Sequence, residues 1–169
     1  HGAVMTFGFI PLFFVGFLFT AGPKWLGVQP LVPRQLRVPL LLQAGGWLLC
    51  LTGAHLHGLT ALAGLVLACA GLSWVTVLFW GLVRRSRADD QVHARTVGVA
   101  CIVGCLSLAG LALSLLLGEP DVARACILTG LWGFVVVVYV SVAHRMIPFF
   151  TSSALPRIDA WRPFWVLWL

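Results

Sequence analysis

The sequence predicts an all-α protein, a polytopic bundle of transmembrane helices with five spans and the start of a sixth. Two observations carry that expectation. Of 169 residues, 60% are hydrophobic and only 9% charged, where a soluble domain carries roughly 25% charged residues. The apolar residues also come in uncharged runs long enough to cross a bilayer, and mean hydropathy is +1.01. This composition excludes disorder and a disulfide-rich secreted module. It also excludes a nucleic-acid partner for the net charge of +6, because charge confined to short loops orients a chain in a membrane.

The first run, residues 3–22, holds no charge and fits one crossing. Pro23, Pro30, Pro33 and Pro39 then punctuate a connection carrying Lys24, Arg34 and Arg37. Residues 38–83 contain no Asp, Glu, Lys or Arg; as one helix they would extend about 69 Å, over twice the hydrocarbon core, so the chain must fold back. The polar cluster His55-Leu-His-Gly58 is where it turns, giving spans 38–56 and 59–83. Residues 96–117 and 125–147 form the fourth and fifth spans, and 163–169 begin a sixth. A chain that opens on His1 and closes inside an apolar run reads as one transmembrane domain, 1–169, from a longer protein.

Orientation follows from Lys and Arg. One side holds Lys24, Arg34, Arg37, Arg84, Arg85, Arg87, Arg95, Arg145, Arg157 and Arg162; the other holds only Arg124, beside Glu119 and Asp121. Loops 23–37, 84–95 and 152–162 are therefore expected to be cytoplasmic in a bacterial inner membrane. Small residues are spaced for close helix contact: Gly64, Ala68 and Gly71 on the third span, Ala100 and Gly104 on the fourth. Trp25, Trp80, Trp161 and Trp165 fall near predicted interfaces and read as anchors. Cys50, Cys69, Cys101, Cys105 and Cys126 lie within or beside apolar runs without a CxxC spacing, and Cys101 and Cys105 read as packing.

The polar groups in or beside the spans are the candidates for function. His1, His55 and His57 fall in the outer layer and His144 a membrane thickness away, so one metal cannot use both groups. His1 and Met5, one helical turn apart, pair an imidazole with a thioether, donors that suit copper(I) and occur as axial ligands of haem. Periodicity alone makes Met5 packing filler and His1 a polar residue at a water interface. His55 and His57 either reach headgroups and water or converge in the turn as metal ligands. His93, between Asp90 and Arg95, reads as a solvated loop residue.

The segment His144-Arg-Met-Ile-Pro-Phe-Phe-Thr151 is expected to kink or end its helix at Pro148, which offers no N–H to the carbonyl of His144. It is either an interfacial helix end with Arg145 snorkelling, or a haem ligand at His144 beside an Arg145 clamp on an anionic group. Pro11 repeats the device by freeing the carbonyl of Phe7. No catalytic constellation of side chains is legible in these spans.

His1-Gly-Ala-Val-Met5, Phe7-Gly-Phe9, Gly16-Phe-Leu18, Thr20-Ala21 and Trp25-Leu-Gly27 resemble the opening signature of the NnrS family, and His144 to Thr151 resembles its second signature. The family's usual opening reads His-x-His-Glu-Met; here Ala3 and Val4 stand for the second His and the Glu. The resemblance implies a polytopic inner-membrane protein containing haem and copper and acting in the response to nitric oxide and nitrosative stress. It implies cofactor binding by His1, His144 and Arg145, and metal binding by His1 and Met5, with His55 and His57 on the same side. Two other readings fit the residues themselves: a metal-free transporter or permease subunit, suggested by the proline and glycine interruptions, and a membrane assembly subunit.

Overall fold

The structure, a computed structural model, describes residues 1–88 and 90–154, with side chains as far as residue 147. Trp161, Trp165, Arg157, Arg162 and the expected start of a sixth span lie outside the described residues. Among those described, five helices are long and apolar enough to cross a membrane: α1 (Val4–Leu26), α2 (Pro33–Leu56), α3 (Gly58–Arg85), α4 (Val92–Leu117) and a composite fifth span (Pro120–Ile147). The fifth is α5 (Pro120–Gly130), a π-helical stretch (Leu131–Val136) and α6 (Val137–Ala154) in succession.

Local chemistry sets the boundaries. Pro33 and Pro120 stand in the first turns of α2 and α5, where a missing N–H costs nothing. Gly27 and Gly118 close α1 and α4 in the left-handed region, at φ of 62° and 73°, which a side chain would strain. The chain turns between α2 and α3 at His57, which is extended at φ −160°, ψ 127° and donates its N–H to Gly53. The helices run past the uncharged stretches, because lack of charge marks the part in hydrocarbon whereas a helix can continue among headgroups. Arg34 and Arg37 thus lie in α2, Arg84 and Arg85 in α3, and the connection between α3 and α4 shortens to residues 86–91. Likewise the helix does not end at Pro148; α6 runs on to Ala154.

α2 and α3 form a hairpin whose backbones touch. A Cβ at Gly46 would lie 2.5 Å from the amide nitrogen of Ala68, and one at Gly71 would lie 2.7 Å from that of Gln43. Between helices in lipid there is no hydrophobic drive, so such contact, with its dispersion and Cα–H···O interactions, is what holds the pair. Gly104 serves α4 in the same way, its missing Cβ occupied by the Phe134 ring at 2.7 Å. α1 lies across α3 and the fifth span through edge-to-face pairs, Phe19 on Phe79 (6.2 Å) and Phe14 on Phe134 (6.0 Å). Phe7, Leu65, Leu72, Phe79, Leu82, Leu108, Phe134 and Val138 are fully buried at this centre. Outward face Phe9, Phe13, Leu41, Leu48, Val77, Leu106 and Trp132, apolar side chains suited to lipid.

The proline in α1 has the consequence its chemistry requires. The stretch before Pro11 is a π-helix (Val4–Phe9), in which Ile10 N–H bonds the carbonyl of Met5. The carbonyl of Phe7, deprived of its N–H at Pro11, accepts from the Gln43 side-chain amide and from Trp47 Nε1–H at 3.1 Å. Gly8 makes room, since a Cβ there would press on the Trp47 ring at 3.2 Å. The interruption is thereby closed by side chains of α2.

Candidate functional site

The antiparallel spans sort the chemistry-bearing residues onto two ends. One end collects the basic residues: Lys24 in the last turn of α1, Arg34 and Arg37 in α2, Arg84 and Arg85 in α3, Arg95 in α4 and Arg145 in α6. His93 and His144 belong to this basic end, and His1, His55 and His57 to the other. The two are separated by the 23 residues of α1, about 35 Å of helix.

At the basic end the structure overturns one expectation. His93 is no solvated loop residue: it lies in the first turn of α4 and is 3% exposed. The helix begins at Val92, whose N–H is accepted by Asp90 Oδ1 at 3.3 Å, and this winds His93 onto the buried face that continues through Val97, Ala100, Cys101 and Gly104. That face packs on α6, and Nε2 of His93 comes within 2.9 Å of Nδ1 of His144, with the ring planes inclined by 26°. The periodicity of α4, extended backward by one turn, would have placed His93 inside; its charged neighbours in sequence argued the other way.

Arg145 is anchored beside this pair. Its Nη1 lies 3.4 Å from Asp90 Oδ2, and its guanidinium carbon stands 5.4 Å from the Trp25 ring centroid. Trp25 in turn packs edge-on against Phe17 at 5.5 Å. Asp90 Oδ1 also faces Nδ1 of His93 at 3.9 Å. Ser86 ties the neighbouring connection down, its Oγ donating to the Leu26 carbonyl at 2.7 Å and accepting from Ala88 N–H at 3.2 Å. The basic end therefore brings two imidazoles, a carboxylate, a guanidinium and an indole together from α1, α4, α6 and the α3–α4 connection. Trp80 is half-buried against the core, and its Nε1–H donates to the Gly98 carbonyl at 3.1 Å.

At the opposite end His1, His55 and His57 are exposed. Met5 N–H bonds the carbonyl of His1 at 3.1 Å, which places the two residues one helical turn apart, and Met5 is 39% exposed. His57 borders an open recess of about 540 Å³ whose other walls include Cys50, Leu62 and Leu115. Among the described residues no group of three or more His, Cys, Asp or Glu side chains is arranged to hold a metal. The cysteines are free, and Cys105 Sγ lies 3.3 Å from Thr76 Oγ1 between α4 and α3.

Two signature-like segments at opposite ends of one bundle, the first beginning at His1 and the second at His144, agree with one comparison. Residues 1–169 match the family described as NnrS protein. The chain belongs to the NnrS family. No curated protein and no solved structure matches it.

The donor sets can be tested against the cofactors that the NnrS resemblance implies. A metal-ligating imidazole ordinarily has its second ring nitrogen held by a hydrogen bond that orients it. Nδ1 of His144 has such a hydrogen bond, to His93, and Arg145 beside it carries a cation that pairs with Asp90. A histidine oriented in this way has the chemistry of a haem-iron ligand. His93 and His144 together do not fit as the two axial ligands, since in contact with each other they cannot stand on opposite faces of a macrocycle. His1 and Met5 offer the imidazole and thioether that suit copper(I).

Proposed function

We propose that this NnrS-family chain is part of a haem- and copper-binding membrane protein that acts in the response to nitric oxide and nitrosative stress. The observation that carries the reading is the hydrogen-bonded imidazole pair His93–His144 beside Arg145. Two imidazoles and a guanidinium gathered at a helix end are costly polar groups for a membrane protein to hold together, and they give His144 the support a ligand needs. Reduced haem or copper(I), when bound, supplies an electron-rich metal that takes nitric oxide as a ligand. The chain's own contribution is to orient the His144 ring, to place the Arg145 cation beside it, and to offer His1 and Met5, with His55 and His57, at the far end. A transporter reading would draw on the interruption of α1, but the Phe7 carbonyl is already taken by Gln43 and Trp47.

The test is the absorption spectrum of the complete detergent-purified protein from haem-replete cells, oxidised and dithionite-reduced, with and without nitric oxide. A Soret band that moves on adding nitric oxide is expected, together with copper by elemental analysis. A flat spectrum and no copper would refute the proposal.

We further propose that the membrane is the bacterial inner membrane and that the basic end faces the cytoplasm, a reading the distribution of Lys and Arg supports. Alkaline phosphatase fused after Gln91 should then be inactive, and fused after Glu119 active. The reverse pattern would invert the orientation.

A further inference from the structure

Several cations of the basic end have a counterweight within the protein. Lys24, Arg84 and Arg85 fall in the last turns of α1 and α3, where helix carbonyls favour positive charge, and Arg145 pairs with Asp90. Arg34 and Arg37 have neither. They are exposed, one turn apart near the start of α2, and among the described residues no carboxylate forms an ion pair with either. Like charges one turn apart on a helix repel, and an anion joining them removes the cost.

The same side of α2 continues as apolar surface. Arg34, Val38, Leu41 and Leu48 follow one another at helical spacing, and the three apolar side chains are exposed. Among the described residues α2 packs on α3 and on the π-helical start of α1, which leaves this stripe to the membrane. From Arg37 to Leu48 the helix rises about 16 Å, close to one leaflet's half of a hydrocarbon core about 30 Å thick. Two cations above one leaflet's depth of apolar surface match a phospholipid, phosphate at the top and tail below. Charge selects its class. A zwitterionic headgroup carries its own cation, whereas an anionic one leaves the phosphate charge to the arginines, whose planar forks donate to phosphate oxygens in pairs.

We propose that the lipid-facing side of α2 binds one anionic phospholipid, its phosphate on Arg34 and Arg37 and a tail along Val38, Leu41 and Leu48. The site is independent of the haem and copper reading. The experiment titrates the complete protein in detergent with phosphatidylglycerol or phosphatidylcholine and counts bound lipids by native mass spectrometry. Phosphatidylglycerol should bind in preference, with each arginine contributing about fivefold. The double variant Arg34→Gln with Arg37→Gln should lose one bound phosphatidylglycerol, its affinity falling about thirtyfold, while Arg124→Gln at the other end keeps it. In the wild type, phosphatidylglycerol with a photoreactive group in one tail should label α2 between Val38 and Leu48.

A double variant that retains phosphatidylglycerol as the wild type does overturns the assignment. So does equal binding of the two lipids, or labelling confined to other helices, and both of these are read on the wild type whether or not the variant folds. Displacement of the lipid by inorganic phosphate would show a site for a free anion and overturn the phospholipid assignment.

Discussion

Replacing Gly64 by valine is expected to abolish folded protein. A Cβ at this position would meet the amide nitrogen of Cys50, lie 2.6 Å from the Gly46 carbonyl oxygen and 2.7 Å from the Cys50 Cα. All three are backbone atoms of α2, which no side-chain rotamer can move aside. Overpacking in an adaptable core costs about 1–3 kcal/mol. Here relief requires α2 and α3 to separate along a seam that also includes Gly46 and Gly71, so the loss should reach the upper end of that range or beyond. Close contact is also the main force available, because lipid replaces water on either side of the interface. Gly45→Ala is the control: among the described residues no atom beyond its own stretch of helix lies within 4 Å of its Cβ, and alanine in a helix gains up to about 1 kcal/mol over glycine. Size-exclusion profiles and thermal inactivation in detergent read both. A monodisperse Gly64→Val protein with wild-type stability would contradict the packing described for the hairpin.

What the sequence displayed and what it concealed divide along the range of the interactions. The five spans, the turn at His55–Gly58 and the small-residue seam were legible because bilayer thickness, the cost of charge in hydrocarbon and the 3.6-residue period act on short stretches of chain. The orphaned carbonyl of Phe7 was legible for the same reason, since Pro11 is four residues away. Its partners were not: Gln43 and Trp47 are 36 and 40 residues distant, and only the crossing of α1 over α2 brings them there. His93 was misjudged for a related reason. Asp90 and Arg95 make its neighbourhood look solvated, whereas its burial comes from α6, 51 residues further on. His144 and Arg145 could therefore be named as candidates in advance, and their contacts with His93 and Asp90 could not.

Because α1 keeps the two ends apart, removing a proposed ligand at one end should spare the other. His144→Ala is expected to lower haem content by more than the tenfold to hundredfold loss of affinity that outer-shell partners cause, and to leave copper unchanged. His1→Ala combined with Met5→Leu should do the reverse, since Leu preserves the bulk of a side chain that is 39% exposed and removes only the thioether. The separation of about 35 Å is too great for one metal to share ligands, and no described cluster bridges it. Haem by absorption and copper by elemental analysis, measured on the same preparations, give four numbers for the two variants. Loss of both cofactors from either folded variant would show the ends to be coupled through the bundle, and an unchanged haem content in His144→Ala would move the haem away from the basic end.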